Sequence, residues 1–466
     1  MGALLERVDL TGSEAPPSPA GPISEQDASD LPAPPAVPLA RHLQILRFNQ
    51  RQIEFVFKAR RHLGEVWSMR AYRNDDTVTS HPDHVRSLLT AKPEDAPSLT
   101  GESPLRPIVG ANSVLTAVGP RHMRQRKLLL PPFHGEAIER YAQMISGAAE
   151  REIDRWPVGE PLALAPRMQA ITLDVIMAGI FGIEGRPERG TPEHGLRTAV
   201  RQLVDLSTTP IAQVGELLNI SSDEPRAPLK IALSYLDRPT FAIIAKRRRE
   251  TDLGERGDIL SLLIEATTEE GEHLTDQELR DELLTLVLAG HETTANQLAW
   301  TWERLVRFPE AYDRLRDTVR SGNGAAEIEH VIQESMRSRP VIPMIGRRVK
   351  RPWRLGEYAV PADTPVLMSI LLIHHREDLY PDPFAFRPER WEDRKPGTYD
   401  WIPFGGGIRR CLGAALAMAE QRVVLEAMAR RLDLEADDPE PEHAVHRNVT
   451  MIPSRGARVV VRSKTA

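Results

Sequence analysis

The chain of 466 residues has a single cysteine, Cys411. That scarcity excludes any intrachain disulfide and any zinc or iron–sulfur site built on several cysteines. It leaves one thiol to act either as buried filler or as a reactive ligand. Positive charge is not in excess: 60 Lys and Arg stand against 66 Asp and Glu, a formal net charge of -6. Such a balance offers no net attraction to phosphate backbones or anionic lipid, so nucleic-acid binding is not expected. No window reaches the roughly 18 consecutive apolar residues of a spanning helix, and the N-terminus lacks a basic and then apolar leader pattern. The expectation is a soluble, cytoplasmic protein with no membrane anchor. Gly/Ser linkers and self-similar periods are missing as well, so nothing marks off separate modules. What is present is 41% apolar and 27% charged residues, enough for a large core and too apolar for a disordered chain.

Residues 11–38 are dense in Pro, Ala, Ser, Asp and Glu and show neither helical nor strand periodicity. A segment of that kind buries too little surface to offset its ordering entropy. Residues 1–38 therefore read as a Pro-rich flexible tail and residues 39–466 as one domain. Helical periodicity dominates from about 39 to 434, interrupted by strand-like runs at 77–79 and 366–371. The pattern is mainly α with a small β region.

One helix stands out. Thr275 is followed three residues later by Glu278, a capping-box signature, and apolar residues then run through Gly290 and on to Val306. About thirty residues at 1.5 Å each span about 45 Å, with a middle that is apolar all round, so the helix must cross the interior. There it presents Gly290, His291, Glu292, Thr293 and Thr294, polar groups that are costly unless paired. Threonines bonded to their own i-4 carbonyls would be one explanation. A zinc site of the His-Glu-x-x-His type is another, but Ala295 stands where the second histidine is required.

Around the lone thiol the chain reads Phe404-Gly405-Gly406-Gly407-Ile408-Arg409-Arg410-Cys411-Leu412-Gly413, and an Ala- and Leu-rich helical pattern follows over 414–432. Glycines permit a tight loop with positive φ and close approach of backbone to a flat ligand. A cysteine near a helix start has its thiolate favoured by the dipole and the unsatisfied amides, and a metal would deprotonate it outright. An axial iron ligand fits these conditions, and so does a small buried hydrophobe. The triple glycine is no dinucleotide loop, because Gly-x-Gly-x-x-Gly from Gly405 would need glycine at Arg410.

The run resembles the haem-binding loop of the cytochrome P450 monooxygenases, Phe-x-x-Gly-x-Arg-x-Cys-x-Gly, met at Phe404, Gly407, Arg409, Cys411 and Gly413. The resemblance implies that Cys411 is the proximal thiolate ligand of haem iron, that Phe404 packs near its sulfur and that Arg409 reaches a propionate. Residues 289–294 resemble the family's distal oxygen-binding helix, with Glu292 and Thr293 as its acid–alcohol pair. Delivering protons to dioxygen as it is cleaved suits a hydroxyl beside a carboxylate. Glu334 and Arg337, at i and i+3, with Arg390 of Pro388-Glu389-Arg390, resemble the family's Glu-x-x-Arg cluster. Its role would be structural, with buried charges shared among the three. His122 and Arg126, at i and i+4 on a helix opened by Gly119-Pro120, resemble a propionate-binding pair; a solvated basic face with Arg121, Arg124 and Lys127 is the alternative. In a strand after Pro343, Arg347 and Arg348 point to opposite faces, so one of them can reach the haem. Arg347 is the better match.

The resemblance covers residues 39–466 and implies a mostly helical P450 fold around haem b, lying between the long distal helix and the cysteine loop. The implied reaction inserts one atom of dioxygen into a substrate. No reductase module or flavin signature is present, so electrons are expected from NAD(P)H through a separate ferredoxin or flavodoxin and its reductase. Arg121, Arg124, Lys127 and Arg410 would form a basic docking patch. A peroxide-driven peroxygenase and a non-catalytic haem sensor or carrier are the alternatives, neither of which calls for the Glu292–Thr293 pair. Cavity-lining stretches by analogy are 98–117, 203–241, 286–294, 341–345 and 449–453, mostly apolar, so the substrate is expected to be hydrophobic.

Overall fold

The computed structural model describes residues 15–465 apart from 71–74, 104, 134, 184, 208–226, 268–270 and 448. The first part of the expected tail, 1–14, and about half of the expected cavity stretch at 203–241, its residues 208–226, thus lie outside the described residues.

Strands β1 (Ala20–Pro22), β2 (Val66–Arg70) and β3 (Asp75–Thr79) come first, with helices α1 (Pro82–Thr90), α2 (Gly119–Leu129) and, after β4 (Pro161–Ala163), α3 (Leu164–Phe181). Helices α4 (Pro192–Ser207), α5 (Asp276–Leu305) and α6 (Ala325–Ser338) lead to β5 (Met344–Arg348), β6 (Trp353–Leu355), β7 (Tyr358–Val360) and β8 (Pro365–Ser369). Helix α7 (Ala414–Arg431) is followed by β9 (Leu432–Ala436), β10 (Ala444–Arg447), β11 (Thr450–Pro453) and β12 (Arg458–Lys464). The protein is mainly helical with small sheets, as its sequence pattern implies.

The chain forms two units, Met1–Pro97 with Gln333–Cys411, and Ser98–Ile332 with Leu412–Ala466. Each is assembled from two chain stretches, so no linker could have announced them.

In the first unit a four-stranded sheet runs β2-β3-β8-β5, with β3 and β8 parallel and the other pairs antiparallel. Val85, Leu88, Trp353, Val366 and Met368 are buried in its core, each contributing about 1.5–3 kcal/mol by leaving water. The strand-like run expected at 366–371 stops at Ser369, whose Oγ accepts the Leu372 N–H at 3.2 Å and caps a helical turn. The N-terminal stretch differs from its reading as a flexible tail. Residues 20–22 pair antiparallel with β6, the Ser18 N–H donates to Asp83 at 2.9 Å, and Ser18 Oγ meets His84 Nε2 at 2.9 Å. Backbone pairing needs no apolar periodicity, which is why composition missed it.

In the second unit α5 packs most extensively on α3. Its start has the capping box: Thr275 Oγ1 accepts the Glu278 N–H at 3.2 Å, and Glu278 accepts the Thr275 N–H at 3.0 Å. The two helices approach closely at Gly290, where an added Cβ would lie 2.7 Å from Ile176 Cδ1. Thr172 Oγ1 donates to the His291 carbonyl at 2.9 Å, and His291 Nε2 donates to the Gln169 carbonyl at 3.1 Å. Helix α3 is long and apolar enough to match a membrane span by length and composition, yet 61% of it is buried inside the protein.

Candidate active site

The cysteine loop lies in the first unit. Gly405 and Gly407 adopt φ of +65° and +62°, a region that penalises any Cβ. At Gly407 a Cβ would also lie 2.3 Å from the Leu89 carbonyl oxygen at the end of α1. The loop is therefore glycine by steric need at two levels. It closes on itself where the Cys411 N–H donates to the Phe404 carbonyl at 2.9 Å, and the Cys411 side chain is exposed. The Phe404 ring stands edge-on to Trp401 at 6.3 Å. Arg409 is half-buried and Arg410 exposed. The buried-filler alternative for Cys411 does not describe this thiol.

Strand alternation separates the two candidate arginines. Arg347 is buried, 5% exposed, and its guanidinium donates to its neighbour Gly346 O at 3.2 Å with no carboxylate partner among the described residues. Burial pushes it down to about 10. Arg348 is half-buried, and its guanidinium bonds the Asp363 carbonyl. A buried guanidinium with no anion beside it is expensive.

Glu334, Arg337 and Arg390 meet in the same unit. Arg337 grips Glu334 with two hydrogen bonds of 2.8 and 2.7 Å, both side chains fully buried. Arg390 Nε reaches Glu334 at 3.0 Å, while the Trp391 indole and the Arg387 N–H donate to it at 3.1 and 2.9 Å. Arg337 spends its remaining protons on the carbonyls of His374, Pro383 and Ala385. The carboxylate thereby ties the last turn of α6 to the segment that precedes the cysteine loop.

In the second unit α5 runs unbroken through 289–294. Thr293 Oγ1 donates to the Ala289 carbonyl at 2.7 Å, the i-4 bond foreseen as one explanation of this pair. Glu292 instead faces the β10–β11 hairpin, where Arg447 reaches it at 2.6 Å. His291 is buried, and burial pushes its ring down to about 4, so it is neutral. On α2, His122 is buried at 2% exposure and Arg126 half-buried one turn on. Of the basic residues beside them, Arg124 lies 3.5 Å from Glu278 and Arg121 donates to Asn112.

The cytochrome P450 family description matches residues 31–461. The chain belongs to the cytochrome P450 family. A P450 is a haem-thiolate monooxygenase, an oxidoreductase that uses dioxygen, and this chain is one. Among curated relatives, the putative cytochrome P450 137 of Mycobacterium tuberculosis is 38% identical over 399 residues, 83% of this chain and 80% of that protein. The putative cytochrome P450 138 of Mycobacterium bovis is 34% identical over 445 residues, 93% of this chain and 98% of its own length. Among solved structures, the cyanobacterial P450 CYP120A1 bound to retinoic acid superposes with a TM-score of 0.76 at 23% identity. It covers 93% of this chain and all of that one, a likeness of fold.

Sequence reasoning missed two polar residues of this P450. Arg447 carries no local signature, because its partner is 155 residues away in the chain. Glu420 could have been noticed as an acid set among apolar residues in the first half of α7, where Glu426 is the helix's other acid. It is buried, hydrogen-bonded to Thr294, pushed up to about 8 by burial, and its Oε1 has no partner among the described residues.

Proposed function

We propose that this P450 hydroxylates or epoxidises a hydrophobic organic substrate in the cytoplasm, with electrons passed from NAD(P)H through a reductase and a ferredoxin or flavodoxin. The reading is carried by the cysteine loop, an exposed thiol at the end of a glycine turn in which a side chain at Gly407 would meet both a positive φ and the Leu89 carbonyl oxygen. The residues suit haem b. A flat group can approach the Gly405–Gly407 backbone, and a propionate would supply the anion that Arg347 lacks. In this reading Cys411 ligates the iron, Phe404 shields the sulfur, and Arg347, Arg409, His122 and Arg126 hold the propionates. When bound, the haem supplies dioxygen activation and oxygen-atom transfer.

The chain's own part is to handle protons and hold the frame. Thr293 Oγ1, its proton committed to Ala289, keeps its lone pairs for a water. Glu292 takes protons from solvent and passes them toward that water, at a rate worth about 10²–10⁴-fold in general acid–base catalysis. The Glu334 cluster keeps the segment before Cys411 rigid. Arg121, Arg124, Lys127 and Arg410 favour an acidic electron donor; reversing the charge of Arg121 and Lys127 should weaken the salt dependence of reduction, and an unchanged rate would refute that docking face.

Turnover separates the alternatives. Holoenzyme incubated with long-chain fatty acids, terpenoids and steroids should form hydroxylated or epoxidised product with a surrogate ferredoxin, its reductase and NAD(P)H. Product with peroxide alone would make it a peroxygenase, and none under either condition would favour a carrier.

A further inference from the structure

Arg447 belongs to none of the motifs, yet it grips the acid of the Glu292–Thr293 pair. It ends β10 at 8% exposure. Its Nε and Nη2 both reach Oε1 of Glu292, at 2.7 and 2.6 Å, a short charge-assisted contact. Thr450, opening β11, directs its hydroxyl at the Arg447 carbonyl, 2.8 Å away, and at the same Oε1, 3.3 Å away. Oε2 of Glu292 takes no hydrogen bond among the described residues. One carboxylate oxygen is thus moored and the other open.

The mooring element is itself fixed. Trp300 Nε1 donates to the Met451 carbonyl at 3.0 Å in a buried contact, so the hairpin is tied to α5 at two points about 12 Å apart along the axis. Beside Glu292 on the helix, His291 bonds Gln169 on α3 and feels Arg447 together with Arg197 and Arg201 of α4. That ring is turned to another neighbour and does not compete for the carboxylate.

We propose that Arg447 is a positioning residue for proton delivery: it moors Glu292 through Oε1 to the β10–β11 hairpin, so that the hairpin sets where Oε2 can exchange protons beside Thr293. This rests on the reading of Glu292 and Thr293 as the proton-delivering pair. Reduction of dioxygen takes up protons along with the partner's electrons. Each proton enters Oε2 from water and leaves it again, and the carboxylate returns to its mooring unchanged.

The test uses full-length holoenzyme with a surrogate ferredoxin, its reductase and NAD(P)H, reading dioxygen consumption and its solvent deuterium isotope effect without added substrate. Arg447→Gln should slow consumption about tenfold and raise the isotope effect, as should Glu292→Gln, and the double variant should be no slower than either. Arg447→Lys, which keeps a cation, should retain at least half the rate. Independently of turnover, the infrared carboxylate band that disappears in Glu292→Gln should shift in Arg447→Gln and stay near its place in Arg447→Lys. If Glu292→Gln slows consumption while Arg447→Gln neither slows it nor shifts the band, the mooring role is overturned and the pair survives. If Glu292→Gln has no effect, the reading of the pair itself is wrong and the mooring role falls with it. Should Arg447→Gln fail to fold, Arg447→Lys and Arg447→Met decide: a displaced band with the rate of consumption unchanged overturns the mooring role, whereas rate lost in step with the displacement supports it.

Discussion

At Arg347 the guanidinium is 5% exposed, bonds its neighbour's carbonyl, and is pushed down to about 10 by burial. At Arg337 a guanidinium buried still more completely is matched to Glu334 by two hydrogen bonds. The contrast predicts opposite phenotypes. Arg337→Met leaves Glu334 with one cation fewer in a dry site, and the chain should lose about 3–5 kcal/mol in denaturant unfolding. Arg347→Met strands no protein anion, so unfolding should change by no more than about 1 kcal/mol while haem passes to excess apomyoglobin at least tenfold faster. Equal haem retention in Arg347→Met and the parent protein would remove the propionate role. The Glu334–Arg337 pair was legible because both residues lie within one helical turn. Arg347 was the better match by resemblance, but which of the two is buried needed the fold, since alternation says only that they differ.

Helices and loops differ in how much their glycines matter. In the cysteine loop Gly407 has φ of +62° and a backbone oxygen 2.3 Å from where a Cβ would sit. Gly407→Ala should cost about 1–3 kcal/mol of strain and sharply reduce haem content, measured as haem absorbance per protein. At the α3–α5 crossing the obstacle to Gly290→Ala is the tip of the Ile176 side chain, which can turn aside. That variant should keep its haem and fold with a loss under about 1 kcal/mol; a collapse of haem content there would mean the helix crossing is as rigid as the loop. The capping box at Thr275 was legible because cap and partner are three residues apart. The β1–β6 pairing joins residues 20–22 to residues 353–355 by backbone alone, and side-chain pattern carries no trace of it.

Over the whole molecule, buried titratable groups set the pH range of stability. Burial pushes His84 and His374 down to about 3 and His291 to about 4, below the roughly 6.5 of an unfolded chain. The unfolded state therefore binds more protons as pH falls below 6.5, and each histidine removes up to about 1.4 kcal/mol of stability per pH unit down to its folded value. Glu282 and Glu420 are pushed the other way, to about 8. Their contribution is full below about 4.5 and is lost as pH rises toward 8. The opposed slopes place maximal stability near pH 6.5, falling on both sides, which urea midpoints from pH 4 to 9 would show; a plateau from 4 to 6 would contradict it. None of this was legible in the net charge of -6, because burial decides which groups titrate. The central claim is a thiolate-ligated haem on Cys411. Its most direct test is the reduced, carbon-monoxide-bound absorption spectrum of the purified protein beside Cys411→Ala. A strongly red-shifted Soret band lost in the variant is the predicted result, whereas a band typical of histidine-ligated haem in both proteins, or no haem in either, would contradict it.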